Sequence, residues 1–218
     1  GGRDAPDLAP PVEDAATFQP VCSGLPVRSL HPGLPSQGGE HVLHGIDRRE
    51  TYLHRFCVMD LWRAASVLHD AVPESRPRLD YLGTSFGGGV GALALPWDVR
   101  FHSAFLCVPS FGNHPLRLQL PCNGSGEAVR LLVQRRPELR DVLAYFDAAI
   151  AARHTRIPVI VAAAAFDPAV PPAGQYSVYH ALGGPKKLFP LTAGHYDGYP
   201  GQSREELELQ IALRRFFA

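Results

Sequence analysis

The chain has 218 residues, 45% of them hydrophobic and 9% aromatic, the make-up of one folded domain with a buried core rather than of a disordered segment. Lys and Arg (21) balance Asp and Glu (21), so no net field draws the chain to nucleic acid or to an anionic membrane. No apolar run approaches the ~18 residues of a membrane span, and the first residues lack a basic-then-apolar signal pattern, so a cytoplasmic protein is expected.

Residues 1–17, rich in Pro and Asp, read as a loop with a helical turn, and "FQPVCSG" (18–24) as a short strand. Residues 23–47 carry Gly and Pro throughout and are expected to be irregular. His41 and His44 form an H-x-x-H there, but no third ligand lies at a suitable spacing, so no metal site is expected. From Arg49 to Ala71, the residues Leu53, Phe56, Cys57, Leu61, Ala64, Ala65 and Leu68 recur at helical spacing. "RLDYLG" (78–83) reads as a strand, with a helix from Phe86 and a second strand at "FHSAFLCVPS" (101–110).

Residues 111–126 form a second Gly-, Pro- and Asn-rich loop, followed by helices over 126–135 and 137–152. "IPVIVAAAAFD" (157–167) is apolar almost throughout, as a strand covered on both faces must be. A helix at 171–182, a strand at 187–192 and an amphipathic helix at 203–217 complete the pattern. This alternation predicts an α/β fold: one domain over 1–218, with a mostly parallel sheet and helices on both faces. Cys22, Cys57, Cys107 and Cys122 are widely spaced without C-x-x-C, which fits free thiols in a reducing compartment; Cys122, in "LPCNGSG", is expected at the surface.

The chemistry gathers around "LDYLGTSFGGGVGALAL" (79–95), which sets Ser85 in G-x-S-x-G between a strand and a run of small residues. A nucleophile elbow places its serine on such a strand-to-helix turn, and glycines two before and two after it, here Gly83 and Gly87, avoid clashes of the crossing chains. An acid and then a histidine should follow in the chain. Of the aspartates after Ser85, only Asp167 ends a buried strand, at the sheet edge where ligands collect in such folds. His195 lies just past the last strand in "KLFPLTAGHYDGYPG". In this arrangement Ser85 attacks an acyl carbon, His195 transfers the proton, Asp167 orients the imidazole, and the Phe86 N–H is one oxyanion donor.

These segments resemble the acetyl xylan esterase and cephalosporin-C deacetylase family of α/β-hydrolases. The resemblance runs from "GEHVLHGIDRRETYLHR" through "MDLWRAASVL", "YLGTSFGGGVGALAL" and "VPSFGNHPLRLQLP". It continues from "LAYFDAAIAARHTRIPV" through "DPAVPP" to "LTAGH". It implies an α/β-hydrolase fold, with Ser85, Asp167 and His195 as triad. It also implies removal of small acyl groups, chiefly acetyl, from carbohydrate or other small-molecule alcohols, no cofactor, and often a homo-oligomer. Two departures stand out. In "CSGLPVRS", Ser23 occupies the place of the family's arginine in an R-G-Q-G-like motif. The first three strands of the fold also have no counterpart, so the fold is expected to be N-terminally incomplete, its C-terminal two-thirds being present. "GGRDAP" then reads as the tail of the loop that donates the second oxyanion N–H, and "FQPVCSG" and "RLDYLG" would flank an empty strand position. A separate N-terminal segment is one expected partner.

Two other readings stay open on sequence: a different α/β-hydrolase such as a peptidase or thioesterase, and a non-catalytic remnant without a complete oxyanion hole. Phe111, Asn113 and Arg117 are candidates for the pocket rim, and Tyr196 and Tyr199, beside His195, for stacking on a sugar.

Overall fold

Four strands, β1 (Leu79–Thr84), β2 (Phe101–Cys107), β3 (Val159–Phe166) and β4 (Lys186–Ala193), lie side by side in sequence order, every neighbouring pair parallel. The computed structural model describes residues 12, 15–25 and 27–218. Register is fixed by pairs such as Gly83 with Leu106, Leu106 with Val161, and Phe166 with Ala193. Together they bring the carboxyl ends of β1, β3 and β4 to one edge.

Nine α-helices are described: α1 (Gly38–His41), α2 (Leu53–Ala71), α3 (Phe86–Ala94), α4 (His114–Arg117), α5 (Gly126–Arg135), α6 (Leu139–Ala144), α7 (Ala148–Ala152), α8 (Pro172–Ala181) and α9 (Gln202–Phe217). The sheet is covered on both faces, and the period of two along the strands shows how. Val159, Val161 and Ala163 of β3 join α2, α3, α7 and α8 in one core; Ile160 and Ala162, between them, join Leu213 and Phe217 of α9 in another. Each fully buried Val or Ile side chain contributes about 1.5–3 kcal/mol by leaving water. A third cluster, with Val42, Tyr52, Leu118, Val129, Leu139 and Phe146, ties α4, α5 and α6 together above the sheet edge.

The structure corrects several sequence-based boundaries. Phe18–Gly24 forms no strand; a strand exists only with a ladder partner, and among the described residues β1 pairs with β2 alone. The expected loop at 1–17 lies largely outside the described residues. The helix expected from Arg49 starts at Leu53, after the Tyr52 backbone turns extended, and the strand expected to reach Ser110 ends at Cys107. The helix expected over 137–152 is two helices. Asp147 breaks it: its carboxylate accepts the Ala149 and Ile150 N–H groups that open α7, at 2.9 and 3.2 Å. The same buried carboxylate takes the Asn113 and His114 N–H groups at 3.0 and 2.6 Å, fastening the 111–114 turn to α7. All four cysteines are free; Cys122 is half-buried rather than exposed.

Among the described residues, five non-glycine residues have positive φ: Ser85, Val108, Phe111, Asn113 and His195. All five lie in turns beyond the carboxyl ends of strands β1, β2 and β4.

Candidate active site

Ser85 sits between β1 and α3 with φ 55° and ψ −115°, a conformation costing about 1–3 kcal/mol that only a well-braced turn retains. The brace is visible. Its N–H donates to the Cys107 carbonyl at 2.8 Å, and its own carbonyl accepts from Gly89 and Ser110. A Cβ at Gly83 would lie 2.7 Å from the backbone C and O of Gly87, so the chain can cross itself only with glycine there. At Gly87 the expectation fails: the nearest atom to an added Cβ is the Tyr81 hydroxyl, an ordinary 3.8 Å away. The tight positions are instead Gly88, Gly89 and Gly91, where α3 lies against the 109–111 turn and Tyr81.

His195 and Asp167 arrive from the ends of β4 and β3. The Ser85 hydroxyl is 2.9 Å from His195 Nε2, and His195 Nδ1 is 2.9 and 3.1 Å from the two Asp167 oxygens. Ionised Asp167 only accepts, which puts the His195 proton on Nδ1 and leaves Nε2 to accept from Ser85. The Asp167 side chain is fully buried, whereas His195 is about 30% exposed. Burial pushes the Asp167 carboxyl up, but the hydrogen bonds from His195, Val170 N–H and Ala169 N–H outweigh it and hold the group below the ordinary carboxylate value. The bond to Asp167 raises His195 above its usual value, against a smaller lowering by burial.

Two supports of this chain left no mark that sequence reasoning picked up. Gln175, wholly buried on α8, donates Nε2 to Asp167 at 2.9 Å and to the Val170 carbonyl at 2.7 Å, while its Oε1 accepts the Ala164 N–H of β3 at 2.8 Å. The alanine run of β3 beside it is the available hint, since small strand residues admit a polar side chain from the covering helix. Gly194 is the second. A Cβ there would press on Asp167 Oδ2 at 2.5 Å and Val108 at 2.8 Å, so a glycine before His195 lets Asp167 and His195 approach.

Phe86 opens α3, so its N–H lies in the first turn and has no acceptor within the helix. A cavity of about 210 Å³ adjoins Ser85 and His195, walled by Val42, Phe86, Phe111 and Val129. Arg117, His54, His114 and Tyr52 supply its polar lining. Phe111 thus stands at the cavity, its ring 4.4 Å from that of His54 and 5.3 Å from that of Phe86. Asn113 does not line it: its amide is engaged with Ser177 and the Leu116 N–H, which fix the turn into α4. Tyr196 is about half-exposed outside the cavity and packs edge-on against Phe166, and the Tyr199 hydroxyl donates to Glu205 at 2.6 Å. His41 of the H-x-x-H is buried and bonds the Ser23 carbonyl through Nε2.

A family profile for acetyl xylan esterase (AXE1) matches residues 30–208. The chain belongs to the acetyl xylan esterase family. Solved structures agree on the fold. Acetyl xylan esterase from Paenibacillus sp. R4 superposes with a TM-score of 0.66 at 21% identity, over 77% of this chain and 55% of that one. Acetyl xylan esterase 1 from Thermoanaerobacterium sp. JW/SL YS485 gives 0.62 at 16% identity, over 83% and 60%. An acylaminoacyl peptidase from Pyrococcus horikoshii also gives 0.62, at 15% identity, over 74% of this chain and 27% of the peptidase. These likenesses establish an α/β-hydrolase architecture, and the chain spans little more than half the length of the two esterases. No curated protein matches the sequence. No described helix is long and apolar enough to cross a membrane.

Proposed function

We propose that this acetyl xylan esterase family member is a serine esterase that removes small acyl groups, chiefly acetyl, from carbohydrate or other small-molecule alcohols through an acyl-enzyme. The observation that carries the reading is the hydrogen-bonded chain from Ser85 through His195 to buried Asp167.

In the first step the Ser85 oxygen attacks the ester carbonyl while His195 Nε2 takes its proton, and the carbonyl oxygen becomes an oxyanion beside the Phe86 N–H. Asp167 stabilises the imidazolium and keeps the ring in register. Collapse expels the alcohol, which receives the proton from His195. Water then attacks the acyl-Ser85 ester by the same route, releasing the carboxylic acid and restoring the serine. The apolar walls at Phe86 and Phe111 and the small cavity suit a short acyl chain.

The test is hydrolysis of 4-nitrophenyl acetate beside a Ser85→Ala control and a longer-chain ester. Turnover lost in the control, with acetate favoured, supports the reading; equal rates for Ser85→Ala and the native chain overturn it. The likeness to the acylaminoacyl peptidase motivates one further arm, an acetyl anilide, whose cleavage at rates rivalling the ester would favour an amidase.

A further inference from the structure

Arg117 is a buried cation with no anion hydrogen-bonded to it among the described residues. It is only 5% exposed, yet it lines the cavity that holds Ser85 and His195. Its Nε meets His114 Nδ1 at 3.4 Å and its Nη1 the Gly126 carbonyl at 3.3 Å, both neutral acceptors; Nη2 has no hydrogen-bond partner among the described residues. The nearby carboxylates are committed elsewhere. Asp147 is surrounded by four backbone N–H groups, and Glu127 is held by Arg130 and the Cys122 N–H. Placing a guanidinium in such a setting is costly unless a partner arrives, and burial pulls its pKa below the ordinary value.

The neighbouring histidines are arranged to keep that charge single. His114 donates Nε2–H to the Phe146 carbonyl at 3.1 Å, which leaves Nδ1 to accept from Arg117; burial and then the Arg117 charge push it down to about 4. His54, 1% exposed, lines the same cavity with neither ring nitrogen hydrogen-bonded, and burial holds it neutral. A neutral imidazole offers one N–H donor. Cation, spare donor and apolar walls together match a carboxylate, whose two oxygens take a guanidinium edge and a second N–H.

We propose that Arg117 makes this site selective for esters that carry a carboxylate, which pairs with the guanidinium inside the cavity while Ser85 attacks the ester group of the same molecule. The proposal rests on the esterase reading above and narrows its substrate class. It makes Arg117 a specificity residue, with His54 as the second donor.

Two matched ester pairs test it, each with Ser85→Ala as the blank. In 4-acetoxybenzoate against its methyl ester, the carboxylate lies on the alcohol side. In mono-4-nitrophenyl glutarate against 4-nitrophenyl valerate, it lies on the acyl side. Native protein should prefer the charged member of at least one pair, and which pair identifies the side. Arg117→Gln should lower kcat/KM for that charged member about 10- to 100-fold more than for its neutral twin, the value of a charge-assisted hydrogen bond. Arg117→Lys, which keeps the charge and loses the fork, should fall between and serves if the Gln variant does not fold. No charge preference in the native protein, or equal losses for both members, overturns the proposal and leaves Arg117 a structural prop. If no ester is turned over, the esterase reading fails on its own. Calorimetric binding of glutarate and benzoate then decides for Arg117: binding weakened in the variant sustains the anion site, and no binding to the native protein removes it.

Discussion

Gln175 holds Asp167 to the sheet: one amide group joins the carboxylate that orients His195 to the backbone of β3 at Ala164. Because the link is buried, its loss is felt twice. Gln175→Leu removes a donor from Asp167 and leaves the Ala164 N–H unpaired, which should cost about 1–3 kcal/mol in urea unfolding. Esterase activity should fall chiefly in kcat, since the residue does not line the cavity. Gln175→Glu should not rescue, because a second carboxylate would face Asp167. A Gln175→Leu protein with native kcat would show that Ala169, Val170 and His195 suffice to place the acid.

The pH behaviour follows from the shifts of the same pair. His195 is raised above its ordinary 6.5, so the basic form that accepts the Ser85 proton is reached only above that pH, and the acidic limb of kcat/KM should lie above 6.5. For stability, a raised histidine contributes fully below 6.5 and loses its contribution as pH climbs through the raised value. Asp167, lowered from 3.8, contributes above that pH and loses its contribution as pH falls through the lowered value. The pH–rate profile checks the first statement; a limb at or below 6.5 would mean that His195 is not the titrating base.

The two glycines of G-x-S-x-G should respond differently. Gly83→Ala forces a Cβ into the Gly87 backbone and should destabilise by about 1–3 kcal/mol, with activity lost as the turn is displaced. Gly87→Ala meets only ordinary contact in the first turn of α3, where alanine favours the helix by up to about 1 kcal/mol. Thermal melts of the two variants should move in opposite directions or differ widely in size.

Asp147 offers a test away from Ser85. Asp147→Ala strands four backbone N–H groups at once and uncouples the 111–114 turn from α7. Unfolding free energy should drop by about 3 kcal/mol or more. Asp147→Asn, which keeps an acceptor, should lose less.

Much of this architecture was legible in the sequence, because parallel strands and their helices leave simple traces. The apolar run before Asp167, the small residues after Ser85 and the position of His195 past the last strand were enough to assemble three residues that lie far apart in the chain. What escaped depends on tertiary partners. Phe18–Gly24 has a strand's composition but no ladder neighbour among the described residues. The helix break at Asp147 is a capping event, decided by N–H groups from a distant turn as much as by its own helix. Asn113 looked like a rim residue because polar loop residues often are, yet both its polar ends serve the turn into α4. Gln175 and His54 were invisible for the opposite reason: nothing in a helical pattern marks which polar residue faces inward.

The backbone conformations at Ser85, Val108, Phe111, Asn113 and His195 have an operational consequence. At about 1–3 kcal/mol each, such strain is tolerable only while the sheet and helices around it are intact, and its release is a driving force for these turns to open first. Heating should therefore inactivate the protein before it melts. A substitution buried in α9 or β3, remote from the Ser85 cavity, can then disable the site while the secondary structure still looks whole.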